Sequence, residues 1–111
     1  MIAPALLQEI SQLEAQFCAA LSDPTRMLLL YLLADRPRNV SELTRELGAN
    51  QPTVSRHLKV LRDRGLVQTT RQGASVTYQL SDMRLIQALD ILRAVLRDHL
   101  AHQASLVRDR R

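Results

Sequence analysis

The sequence is poor in the residues on which several protein classes depend. It has no tryptophan, one phenylalanine, two tyrosines and a single cysteine, Cys18. One cysteine cannot form an internal disulfide framework, so we expect a protein of the reducing cytoplasm. With aromatic residues at 3% and hydrophobic residues at 46%, the core has to be built from Leu, Val, Ile and Ala. That composition favours helices over a β-sandwich, whose strands are usually enriched in aromatic side chains.

Long apolar runs are also absent. The run Met27–Leu33 is far shorter than the ~20 residues that a membrane-spanning helix needs, and no secretory signal pattern opens the chain. Because 111 residues is close to the usual size of one domain, we expect a single domain over residues 1–111 and no membrane association. A glycine-rich phosphate loop, a nucleophile elbow and paired carboxylates are all missing, so we do not expect an enzyme.

Positive charge is concentrated in the middle of the chain. Residues 36–71 carry eight Lys and Arg against three acids, whereas residues 1–35 carry one Arg against four acids. The remainder, residues 72–111, carries six Arg against four acids. Since nucleic-acid binding requires cations that neutralise phosphates, the middle of the chain is the candidate binding region.

Apolar spacing predicts long helices at both ends of the chain. Residues three and four apart form one stripe over residues 5–21 and another over residues 82–103. The first stripe contains Leu6, Ile10, Leu13, Phe17 and Leu21, and the second contains Leu85, Leu89, Leu92, Leu96 and Leu100. Between them, a helix over residues 24–34 starts after the N-cap Asp23 and is apolar on nearly every side, as expected of a core helix. Because both stripes are longer than a small monomeric core can cover, we predict dimerisation through the first and last helices.

Residues 39–67 read NVSELTRELGANQPTVSRHLKVLRDRGLV, a pattern typical of two short amphipathic helices joined by a turn. We expect Ser41 to cap the first helix and Gly48 to end it. Either Asn50 or Gln51 caps the second helix, and both remain open because Pro52 is tolerated throughout a first helical turn. The pattern predicts a helix-turn-helix over about residues 41–64, of the kind whose second helix enters the DNA major groove.

Two segments with period-two alternation follow, over residues 66–71 and 75–80. They predict a β-hairpin over about residues 66–80 with its loop at Gln72, Gly73 and Ala74. The predicted fold is therefore mainly α with a small β-wing, a winged helix-turn-helix in the order α-α-α-α-β-β-α.

These segments, in this order, resemble the ArsR/SmtB family of bacterial repressors. The resemblance rests on ALSDPTR at 20–26, VSEL at 40–43, QPTVSRHLKVL at 51–61 and GLV at 65–67. Members of that family are homodimers that pair their first and last helices, bind a palindromic operator and release it when an inducer binds. The resemblance implies a sequence-specific repressor whose partners are double-stranded DNA, a second copy of the chain and an unidentified small-molecule or metal inducer. The alternative is a metal-independent winged-helix protein-interaction module without operator binding, against which the basic, polar second helix argues.

The resemblance also implies which residues contact DNA. Gln51, Ser55 and Arg56 match family positions that contact bases or the nearby backbone, and arginine suits guanine while glutamine suits adenine. The full expected set is Gln51, Thr53, Ser55, Arg56, His57, Lys59, Arg62 and Arg71. We interpret His57 as a packing or phosphate-adjacent residue, and Arg71 as a phosphate or minor-groove contact from the wing.

The family's inducer sites are only partly represented. Near Val40, where some members carry a cysteine pair, there is no thiol, and soft metals such as arsenite need about three thiolates. His99 and His102 match half of the family's other metal site, but Ile86 and Ala88 replace its remaining ligands. We therefore expect solvated or interface histidines and no metal cofactor, with a zinc-type site as the alternative. Cys18 is interpreted as a buried, unreactive thiol, and a redox thiol near the dimer axis is the alternative.

Overall fold

The computed structural model describes residues 1–109, and Arg110 and Arg111, at the end of the predicted domain, lie outside the described residues. Helix α1 runs regularly over Pro4–Leu13, passes through a π-helical segment at Glu14–Cys18 and ends with Ala19–Leu21. The other helices are α2 at Pro24–Asp35, α3 at Val40–Leu47, α4 at Gln51–Asp63 and α5 at Arg84–Asp109. The strands are β1 at Arg38–Asn39, β2 at Val67–Gln72 and β3 at Ser75–Leu80, in the sheet order β1-β3-β2.

The sheet differs from the predicted hairpin in two respects. Strand β1 lies between the predicted helix over residues 24–34 and the predicted helix-turn-helix over residues 41–64, where no strand was predicted, and its Arg38 pairs with Tyr78 of β3. Two paired residues are too few to produce a visible alternation, which is why the sequence does not reveal this strand. The wing itself closes through a two-residue turn at Gly73 and Ala74, because Gln72 pairs with Ser75 instead of belonging to the loop.

Asparagine side chains cap both helices of the helix-turn-helix. The Oδ1 atom of Asn39 accepts from the Glu42 N–H at 2.9 Å, and the Glu42 carboxylate accepts from the Asn39 N–H at 3.2 Å. This capping box begins α3 two residues earlier than expected, so the prediction of Ser41 as the cap is wrong. Asn50 caps α4 by accepting from the Thr53 N–H at 3.0 Å, which decides between the two candidates for that position.

The hydrophobic core lies between α2, α3, α4 and the base of the wing. It contains Ala20, Leu29, Leu30, Leu33, Leu43, Val54, Leu58, Leu61, Leu66, Val67, Ile86 and Leu89. As predicted, α2 supplies the centre, and α4 turns its apolar stripe inward. Burying that stripe fixes the opposite, polar face of α4 toward solvent.

Helices α1 and α5 extend away from this core. Helix α1 contributes only Ala20 to the core and α5 contributes only Ile86 and Leu89, so most of both apolar stripes is exposed. The radius of gyration is 17.6 Å, compared with about 13 Å for a compact chain of this length. Helix α5 also continues six residues past the predicted end at 103, since no glycine or proline interrupts residues 104–109.

Membrane spanning receives no support from an individual helix among the described residues. None of them is both long enough and apolar enough. Helices α1 and α2 meet the criterion only when taken together, and they are bent by 88° at the break between them.

Candidate nucleic-acid interface

The outer face of α4 presents most of the residues expected to contact DNA. Among them, Gln51, Ser55, Arg56, Lys59 and Arg62 are exposed. Thr53 and His57 are half-buried at the edges of this face. The packing of α4 thus brings hydroxyl, amide and cationic groups together on one accessible surface.

The two cations in the middle of that surface make different contacts. One Nη2 donor of Arg56 reaches Thr53 Oγ1 at 3.3 Å. Lys59 Nζ lies 2.8 Å from Asp63 Oδ2, and this hydrogen bond holds the pKa of the Asp63 carboxyl below its usual value. Because both side chains of this ion pair are exposed to solvent, the pair contributes little to stability, and Lys59 can exchange Asp63 for a phosphate at little cost.

His57 faces the protein as well as the solvent. Its Nδ1 atom lies 3.2 Å from Nη1 of Arg26, a residue in the first turn of α2. Because a guanidinium is always a donor, this geometry requires Nδ1 to be the acceptor, which leaves the proton of a neutral ring on Nε2. The contact favours packing and positioning over base readout as the role of His57.

The wing carries Arg71 near its tip. Arg71 is exposed on β2 and pairs with Val76 of β3, two positions before the turn that Gly73 opens. A backbone hydrogen bond of 2.9 Å from the Leu66 N–H to the Leu61 carbonyl joins the end of α4 to the wing. The wing is therefore anchored directly to the end of α4.

Arg38 shows that the basic charge of residues 36–71 is not all available to DNA. Its side chain is only 6% exposed and forms ion pairs with Asp35 at 2.7 Å and Glu46 at 3.1 Å. Arg38, in strand β1, therefore links Asp35 of α2 to Glu46 of α3. No sequence pattern distinguishes this internal arginine from its exposed neighbours.

The candidate inducer residues do not form a metal-binding cluster within residues 1–109. His99 and His102 are exposed on α5, and no group of three or more His, Cys, Asp or Glu side chains in the described part of the chain could hold a metal ion. Cys18 is exposed at the end of the π-helical segment. The expectation of a buried thiol is thus wrong for this chain, because α1 contributes almost nothing to the core.

Sequence comparison identifies relatives of this chain. A family model described as bacterial regulatory protein, arsR family, matches residues 23–69. The HTH-type transcriptional regulator NmtR of Mycobacterium tuberculosis is 40% identical over 83 residues, which are 72% of this chain and 69% of the relative. The biofilm growth-associated repressor of Xylella fastidiosa is 33% identical over 81 residues, 73% of this chain and 71% of the relative.

Structural comparison gives the same result. The solution structure of a homodimeric winged helix-turn-helix DNA-binding domain from Mycobacterium bovis, a possible ArsR-family transcriptional regulator, superimposes with a TM-score of 0.76 at 27% identity. The match covers 91% of this chain and 93% of that one. The predicted winged helix-turn-helix fold is thereby confirmed.

Proposed function

Because the chain belongs to the ArsR family of bacterial regulatory proteins, we propose that it represses transcription by occupying a palindromic operator as a homodimer. The observation that carries this proposal is the outer face of α4, where Gln51, Ser55 and Arg56 are exposed on a helix whose other side is fully packed. The proposal assigns the chain to the cytoplasm, where bacterial DNA lies, and gives it no catalytic role.

Affinity and specificity come from different residues in this proposal. Gln51, Ser55 and Arg56 read base edges, because amide and guanidinium groups make paired hydrogen bonds in the major groove. Lys59, Arg62 and Arg71 contact phosphates, which orient the protein without reading sequence. Thr53 orients the Arg56 guanidinium by accepting its hydrogen bond, and His57 holds α4 against α2 through its contact with Arg26.

The homodimer follows from the exposed apolar stripes of α1 and α5. Leu92 and Leu96 of α5 are 63% and 54% exposed, and Leu6 and Ile10 of α1 are 50% and 51% exposed. Contiguous apolar surface of this extent is uncommon on a soluble monomer. A second copy pairing the same helices across a two-fold axis buries it, and places two copies of α4 on two half-sites.

We further propose that the inducer is not a soft metal. Cys18 is the single cysteine of the chain, so even a dimer brings only two thiols, fewer than the three that arsenite capture requires. Zinc has two imidazoles per chain available, His99 and His102, which fall short of a four-ligand site. The remaining class of inducer is a small molecule that binds the DNA-free conformation of the protein more tightly than the DNA-bound conformation.

Fluorescence anisotropy of the operator complex tests the inducer proposal. Arsenite, cadmium, lead and zinc are each titrated into the complex, with a His99→Ala/His102→Ala double variant as the matched control. We expect no release by any of these metals. Stoichiometric release by zinc from the parent but not from the double variant contradicts the proposal and makes the chain a zinc sensor.

Selection of binding sites from random DNA tests the operator proposal. We expect enrichment of one inverted repeat whose half-sites lie about one helical turn apart, or a multiple of that distance. An Arg56→Ala variant run in parallel should enrich the same spacing with one degenerate position in each half-site. Recovery of unrelated sequences, or of no DNA at all, refutes operator binding and favours a protein-interaction module.

A further inference from the structure

Two arginines connect the dimerisation helix α1 to the recognition helix α4. Arg64, the residue that follows α4, donates from Nη1 to the Ala15 carbonyl at 2.7 Å. Arg26 donates from Nε to the Ala20 carbonyl at 2.6 Å and places Nη1 3.2 Å from Nδ1 of His57 in α4. One contact therefore reaches the end of α4, and the other reaches its middle.

Both acceptors are backbone carbonyls at special places in α1. Ala20 lies in the last turn of the helix, where carbonyls lack intrahelical partners and cations are favourable. Ala15 lies in the π-helical segment Glu14–Cys18, a local widening of a kind that occurs frequently at functional sites. Because both arginines donate to main-chain carbonyls of α1, these contacts depend on the path of the helix and not on which side chains it carries.

Few other contacts fix this path. From Pro4 to Gln16 every residue of α1 is exposed, and only Phe17, Ala20 and Leu21 at its C-terminal end pack against the core. The angle between α1 and α4 is therefore set at the C-terminal end of α1, where the two arginine contacts lie. In a dimer held by α1 and α5, that angle fixes the separation and relative rotation of the two recognition helices.

We infer that Arg26 and Arg64 are positioning residues that hold α4 at a fixed angle to the dimerisation helix and so set the half-site spacing of the operator. The inference rests on the proposed function and deepens it. Adding one base pair between half-sites moves them apart by ~3.4 Å and rotates one relative to the other by roughly 35°. A rigidly held α4 cannot follow that change, whereas a loosened α4 can.

The test compares operators that differ only in spacing. The palindrome obtained by selection is shortened or lengthened by one base pair at its centre, and binding is measured by anisotropy for the parent and four variants. Arg64→Ala removes the contact to Ala15, and Arg64→Lys retains a cationic donor at the same position. Arg26→Lys cannot reach Ala20 and His57 together. Arg108→Ala, on exposed α5 residue 108, removes the same charge away from α4.

We expect the parent and Arg108→Ala to prefer the selected spacing by about tenfold or more, a scale set by the cost of deforming DNA to fit. In Arg64→Ala and Arg26→Lys the preference should fall to about two- to threefold while thermal unfolding stays cooperative, and Arg64→Lys should restore most of it. An unchanged spacing preference, or an equal loss on all three operators, overturns the inference alone. A parent protein that binds none of the operators overturns the proposed function, and the inference with it.

Discussion

Arg56 and Lys59 share the exposed face of α4 but suit different parts of a DNA duplex. Arg56 has a planar guanidinium with several donors, of which Nη2 contacts Thr53 Oγ1. Lys59 carries a compact ammonium that is paired with Asp63 at 2.8 Å. A planar fork matches the two acceptors of a guanine edge, whereas an ammonium acts as a point charge toward phosphate. Single substitutions separate the two roles.

Arg56→Ala should weaken binding to the preferred operator by about 1–3 kcal/mol and relax base preference at one position in each half-site. Lys59→Ala should weaken binding to all sequences alike and lower the slope of affinity against salt concentration by about one. Anisotropy on the operator and on base-substituted versions, at several salt concentrations, measures both effects. Equal and sequence-independent losses would show that Arg56 also binds phosphate.

Asp82, just before α5, provides a pH-dependent contact outside the DNA-facing surface of α4. Hydrogen bonds from the Arg84 side chain, and from its backbone N–H at 2.9 Å, lower the pKa of Asp82 from 3.8 to about 2. A carboxyl whose pKa is lower in the folded than in the unfolded chain stabilises the fold when the pH is above its unfolded pKa. This contribution is lost as the pH falls from about 4 through about 2. Because Asp82 lies at the start of α5, the contact supports the dimerisation helix where it leaves the wing.

In Arg84→Ala the pKa of Asp82 should rise part of the way toward 3.8, since the backbone donor remains. Titration of the side-chain carboxyl carbon by NMR measures the change. Arg97→Ala, an exposed substitution further along α5, is the matched control and should leave the titration of Asp82 where it is in the parent. A parent Asp82 that already titrates near 3.8 contradicts the contact.

At the scale of elements, the start of α3 depends on Asn39. Its side chain and that of Glu42 satisfy each other's backbone N–H groups, and Glu42 also pairs with Arg36 at 3.1 Å. These contacts lower the pKa of Glu42, the hydrogen bond from the Asn39 N–H most strongly and the Arg36 side chain next. The first helix of the helix-turn-helix is therefore fixed by a cap that also belongs to strand β1.

Asn39→Ala should lower the free energy of unfolding by about 1 kcal/mol, the usual cost of removing an N-cap side chain. Ser41→Ala, two residues away on the exposed side of α3, should change it by less than about 0.5 kcal/mol. Urea denaturation at one fixed protein concentration measures both. A larger decrease in the free energy of unfolding from Ser41→Ala than from Asn39→Ala would show that Ser41 is the N-cap.

The sequence predicts elements wherever a stripe or a cap is local. Helices α2 and α4 begin and end within a residue or two of the predicted positions, because Asp23 marks the start of α2 and the start of α4 is narrowed to two adjacent caps, Asn50 and Gln51. Strand β1 is missed because it has only two paired residues, too few to show an alternation, and because its partners in β3 lie 38 and 40 positions away. The same limit applies to the site, since the Arg64–Ala15 contact joins residues 49 positions apart. The exposed residues of α4 follow from periodicity alone, and their contacts with DNA stay a prediction.

At the scale of the whole molecule, the exposed stripes of α1 and α5 require a partner. Leu96→Glu should weaken the dimer by about tenfold or more, equivalent to about 1.4 kcal/mol, because a carboxylate replaces a leucine in the apolar stripe that dimerisation buries. Operator binding should fall with it, since one α4 reaches only one half-site. Gln87→Glu, on the opposite side of α5, should alter neither property. Sedimentation equilibrium and anisotropy measure the two effects, and loss of one without the other contradicts their coupling.

Sedimentation of the parent protein, alone and with the selected operator, tests the central claim most directly. At micromolar concentration we predict a species of twice 12.6 kDa, and one such dimer on each palindrome. A DNA carrying a single half-site should bind far more weakly. A protein that sediments only at 12.6 kDa, or that binds half of the palindrome as tightly as the whole, would contradict a dimeric repressor.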